Sequence, residues 1–78
     1  MRTVKTLREQ RTRRLLTLRA LARRAGVAPR TLLWIEQGRT VPQLGTISKL
    51  AAALGVEPGQ VAEFRRAIAR HAGIDEAA

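Results

Sequence analysis

The chain has 78 residues, with 15 Lys or Arg against six Asp or Glu, and its formal net charge is +9. That length suits one small domain, and the absence of cysteine excludes disulfides and thiolate metal sites and suits a reducing compartment. No apolar run approaches the ~18 residues of a membrane span, and the opening MRTVKTLREQ has no apolar signal-peptide core, so a soluble, cytoplasmic protein with no membrane contact is expected.

Helical periodicity runs throughout and strand-type alternation does not occur, which predicts an all-α fold of five helices. The first helix is expected over residues 3–14, with Val4, Leu7 and Arg11 on one face. Thr17 is placed to cap the second helix, and Gly26 ends it in the left-handed geometry that glycine tolerates best. The third begins near Ala28 with Pro29 in its first turn, where a missing N–H costs little, and stops at Gly38. A polar loop, Arg39-Thr40-Val41-Pro42-Gln43, leads to a fourth helix starting at Leu44 or Thr46 and ending at Leu54. Ile47, Leu50, Ala51 and Leu54 form its apolar stripe, and Gly55 stops it. The fifth is expected from Glu57-Pro58 to His71, with Val61, Phe64 and Ile68 on one face. Gly73 ends it, giving a domain over residues 1–72 and a short flexible tail over 73–78.

Charge is uneven along the chain. Nine of the basic residues lie in the first 24 positions against one acid, Glu9, whereas the part after Leu50 is close to neutral. That asymmetry suggests one surface facing a polyanion and another free for a different contact. Residues 18–37, LRALARRAGVAPRTLLWIEQ, read as two short helices hinged at Gly26. Leu21, Val27, Leu32 and Ile35 close a small core between them, and Ala22 is small where the two backbones approach. This is the pattern of a helix-turn-helix formed by helices two and three, whose second helix enters the DNA major groove. Arg30, Leu33, Trp34 and Gln37 share the face opposite Leu32 and Ile35.

Landmarks at Leu7-Arg8-Glu9, Arg11, Leu21-Ala22, Gly26-Val27, Ile35-Glu36-Gln37-Gly38, Pro42 and from Leu50 to Leu54-Gly55-Val56 follow one another in order and without a gap. In these the chain resembles the phage repressor and Cro-like, or XRE, family of helix-turn-helix domains. The resemblance implies a compact five-helix repressor-like fold and a partly buried ion pair between Arg11 and Glu36. Removing one partner of such a pair costs ~3–5 kcal/mol. It also implies base contacts from Ala28, Pro29, Arg30, Leu33, Trp34 and Gln37. Arg30 would bind guanine through O6 and N7, and Gln37 would read adenine or reach a phosphate. Phosphate contacts are expected from Arg39, Thr40 and Gln43, and from Arg19 and Arg23 one turn apart on helix two.

Departures from the family pattern fall at Leu18, where Gln is usual, at Ala28, where a serine-type cap is usual, and at the apolar Leu33 and Trp34. These leave three readings of Trp34 open: facing DNA, facing a protein partner, or folded over the domain itself. His71 is the only histidine and has no nucleophile or acid cluster beside it in the sequence, so no enzyme activity, metal or cofactor is expected. Two functions remain. One is a sequence-specific transcriptional regulator, a repressor on double-stranded DNA, working as a homodimer through Val61, Phe64 and Ile68. The other is an antitoxin or adaptor whose main partner is another protein, bound through the C-terminal helix or the Leu33/Trp34 surface.

Overall fold

Capping chemistry sets where the first helix begins. In the computed structural model, which describes residues 4–73, α1 spans Leu7–Arg13. Thr6 Oγ1 accepts from the Glu9 N–H at 3.1 Å, and Glu9 Oε1 accepts from the Thr6 N–H at 2.8 Å. This reciprocal box satisfies two backbone donors and stops the helix from extending further toward the N-terminus. The expected start at residue 3 is therefore corrected: Val4 and Lys5 precede the helix, and Lys5 forms a parallel bridge with Val61. The Lys5 carbonyl accepts from the Ala62 N–H at 2.9 Å.

Helix α2 spans Leu18–Ala25, with Thr17 Oγ1 accepting from the Ala20 N–H at 3.1 Å. Helix α3 spans Pro29–Glu36, with Pro29 at its start and no side-chain cap from Ala28. Helix α4 spans Leu44–Leu54, and α5 spans Ala62–His71. The fifth helix starts later than Glu57-Pro58. A single 3-10 turn over Pro58–Gln60 comes first, and Val61 then adopts an extended conformation (φ −114°, ψ 124°) that breaks the run. The break lets Val61 pair with Lys5. Residues 74–78 of the expected tail lie outside the described residues.

Four of these helices end in the same way. After α2, Gly26 takes φ 74°, its N–H bonds the Arg23 carbonyl, and the Val27 N–H bonds the Ala22 carbonyl. Gly38 and Gly55 close α3 and α4 with the equivalent pair of bonds. At the end of α1 the left-handed position is Leu15, with φ 57° and the matching bonds from Leu15 to Thr12 and from Leu16 to Arg11. The hydrogen-bond pattern is thus the Schellman type throughout, but α1 makes it with a residue that carries a Cβ.

The core is continuous. Leu7, Leu21, Leu32, Ile35, Leu50, Val61 and Phe64 are its largest buried side chains, joined by Ile47, Leu54 and the small Ala22, Ala51 and Ala67. Helix α2 packs against α3 and α4, and α5 packs against α4 and the 3-10 turn. Val61 and Phe64 are each 0% exposed, so the expected dimer contact through Val61, Phe64 and Ile68 is corrected. Only Ile68 of the three reaches the surface. Leu18 packs half-buried on the core. Among the described residues no helix is long and apolar enough to cross a membrane.

Candidate nucleic-acid interface

Helix α3 is divided sharply between its two faces. Leu32 and Ile35 are buried against the core, while Pro29, Arg30, Leu33, Trp34 and Gln37 are all exposed. Leu33 and Trp34 each keep 39% of their surface accessible. Within this face the structure brings two predicted residues together: Arg30 Cζ lies 5.9 Å from the centroid of the Trp34 ring, one helical turn away. Trp34 does not fold away into the core.

The helix is held at its far end by the ion pair that the family resemblance implies. Arg11 Nε donates to Glu36 Oε2 at 2.7 Å and a second guanidinium nitrogen donates to Glu36 Oε1 at 3.1 Å, a two-pronged contact. A third donor of Arg11 meets the Leu16 carbonyl at 2.9 Å. The Glu36 carboxylate, through these hydrogen bonds and its charge, raises the Arg11 pKa above the ordinary arginine value, against an opposing effect of burial. The pairing therefore favours the charged form of Arg11. Because it joins α1, the α1–α2 turn and the end of α3, it fixes the angle at which α3 leaves the core.

The connection after α3 exposes Arg39, Thr40 and Gln43, while Pro42 between them is buried. His71 Nε2, on α5, lies 2.9 Å from the Pro42 carbonyl and ties this loop to the last helix. Gln43 is the residue at the start of α4 and makes no side-chain cap. The first intrahelical bond of α4 is from Ile47 to the Gln43 carbonyl, so the N–H groups of Leu44, Gly45 and Thr46 point out of the helix end without a helical partner. Such an end is suited to a phosphate oxygen. Arg19 and Arg23 are exposed on α2.

Several residues that matter here carry no sequence signal of their own. Gln10 is buried; its side-chain nitrogen donates to the Gln60 carbonyl at 3.4 Å and its oxygen accepts from Arg14 at 2.8 Å. Arg14 is thereby a structural group. Glu63 of α5 accepts from the Leu7 N–H at 2.8 Å and so caps α1 from across the fold. Only the tertiary arrangement brings Gln10 to Gln60 and Leu7 to Glu63, partners separated by most of the chain, whereas the Gln10–Arg14 bond is local, between residues four apart.

A family model described as a helix-turn-helix domain matches residues 4–64, well over half of the chain. No curated protein and no solved structure matches it. The matched span covers α1 to the first turn of α5 and includes the paired helices α2 and α3, the exposed face of α3 and the ion pair that holds it. The chain belongs to the helix-turn-helix domain family.

Proposed function

We propose that this protein is a cytoplasmic transcriptional regulator of the XRE type, a repressor that occupies a specific DNA site with α3 in the major groove. One observation carries the reading: α3 buries Leu32 and Ile35, is anchored through Glu36 to Arg11, and turns Arg30, Leu33, Trp34 and Gln37 outward together. Arg30 reads guanine, Gln37 reads adenine or a phosphate, and Pro29, Leu33 and Trp34 supply apolar contact to thymine methyl groups and sugars. Arg19, Arg23, Arg39, Thr40 and Gln43 grip phosphates on either side, supported by the open N–H groups of α4. A homodimer would read two half-sites, its contact now resting on Ile68 and its surroundings.

The exposed Leu33/Trp34 pair favours a second reading, in which this face or α5 binds another protein, as an antitoxin or adaptor would. DNA titration separates the two. On a duplex enriched by selection from random sequence, Arg30→Ala should lose about 10- to 100-fold in affinity. On random duplex it should change little beyond the loss of one charge, and affinity should fall with salt by a log–log slope of about 0.9 per neutralised phosphate. Equal losses on both duplexes would remove Arg30 from base reading. A flat salt response would favour the protein-binding function.

A further inference from the structure

We infer that α3 reads a methyl-bearing pyrimidine followed by guanine, a thymine–guanine or 5-methylcytosine–guanine step, and that Trp34 is the positioning residue for Arg30. The inference rests on the DNA-binding reading above. Its physical basis is the placement of the Arg30 guanidinium over the Trp34 ring, with Cζ 5.9 Å from the ring centroid, at the edge of the ~6 Å range of a cation–π contact. Among the described residues the guanidiniums hydrogen-bonded within the fold are those of Arg11 and Arg14. The Arg30 donors are left for a ligand.

A guanidinium has an edge of donors and two flat, weakly hydrated faces. Trp34 lies on one side of the guanidinium. The edge remains available to make the two-pronged contact with guanine O6 and N7. The second face then lies against whatever the neighbouring base presents in the major groove. Thymine and 5-methylcytosine present a methyl group at C5; cytosine and uracil present only hydrogen. The methyl group fills the space beside the guanidinium and displaces water, and the exposed Leu33 next to Trp34 extends the same apolar wall. Arg30 and Trp34 are four residues apart, about 6 Å along the helix axis. That is just under two base steps of about 3.4 Å, so the two side chains address bases within one run of three. Contact with Trp34 also restricts the arginine before DNA arrives, which reduces the rotamer freedom lost on binding.

The test uses duplexes enriched from random sequence by the wild-type protein, which should contain a thymine–guanine step. Replacing that thymine by uracil removes one methyl group from the DNA and leaves the protein unchanged; affinity should fall about four-fold. A 5-methylcytosine–guanine step should bind as the thymine step does, and a cytosine–guanine step as the uracil step does. Trp34→Leu, apolar but without an aromatic face, should bring the thymine-to-uracil ratio close to one, whereas Trp34→Phe should keep it. If methyl removal has no effect while Arg30→Ala still abolishes discrimination, the methyl reading is overturned and DNA recognition stands. A ratio unchanged in Trp34→Leu overturns the positioning role. If no sequence is enriched, the specific DNA reading fails and this inference fails with it.

Discussion

Leu15 holds φ at 57° with 92% of its surface in water. The left-handed region brings Cβ against the following carbonyl, at a cost of about 1 kcal/mol for a residue other than glycine. Nothing is recovered by burial here, because the side chain makes no part of the core. Leu15→Gly should therefore raise stability by about 1 kcal/mol, seen as a rise of about 4–8 °C in Tm for a domain of this size. A lower Tm in that variant would mean that the leucine side chain makes a stabilising contact that outweighs its backbone strain. Arg11 is the opposite kind of residue: three of its donors are used, two on the Glu36 carboxylate and one on the Leu16 carbonyl, which joins two other parts of the chain to α1. Its pairing with Glu36 follows the resemblance, but the bond to Leu16 emerges only from the folded turn.

At the scale of the element, α1 shows how a helix too short to be stable alone is held. Seven residues lie below the length at which an isolated helix persists in water. The Thr6–Glu9 box, the Glu63 carboxylate on the Leu7 N–H and the Lys5–Val61 bridge together fix its start. The hydrogen bonds from Thr6, backbone first and then side chain, lower the Glu9 pKa below the ordinary glutamate value. The folded protein thus binds this proton less readily than the unfolded chain. The stabilisation is present above the unfolded glutamate pKa of about 4.3 and is lost as pH falls through the lower folded value. Glu9→Gln should flatten the acid limb of the stability–pH curve below about pH 4.5 and leave the curve's shape unchanged near pH 7. An acid limb identical to wild type in chemical-denaturation curves would show that Glu9 contributes nothing to it.

For the whole molecule, the division of labour follows the charge. The basic first half supplies α1, α2 and the exposed face of α3, and α5 closes the core from the opposite end of the sequence. Since Phe64 and Val61 are consumed in that closure, any self-association through α5 must use Ile68 and the open grooves beside it, which Leu44, Pro58, Arg65 and Ala69 help to line. Ile68→Asp should convert a dimer to a monomer in light scattering, while circular dichroism and Tm stay close to wild type because the site is already part-exposed. Wild-type protein that scatters as a monomer at tens of micromolar would rule out a stable α5 dimer. The loss of apparent affinity for a two-half-site duplex should accompany the loss of mass, since each monomer then binds one half-site alone.

Much of this architecture was legible from the chain because its causes are local. Caps at Thr17, Gly26, Pro29 and Gly55, and the apolar spacing of Leu21, Leu32, Ile35, Ile47, Leu50 and Leu54, lie within a few residues of the structure they specify. The same spacing displayed the exposed face of α3, and an i, i+4 separation made an Arg30–Trp34 contact available without deciding that it forms. Periodicity located the apolar face of α5 but not what would cover it. Only the tertiary structure gave Val61 and Phe64 to the core and left Ile68 outside, and only it set the start of α1 against α5 and bound Gln10 to Gln60. The physical reason is the same in each case: a helix specifies its own ends and faces through near neighbours, whereas burial and long-range hydrogen bonds depend on which distant segment arrives to complete them.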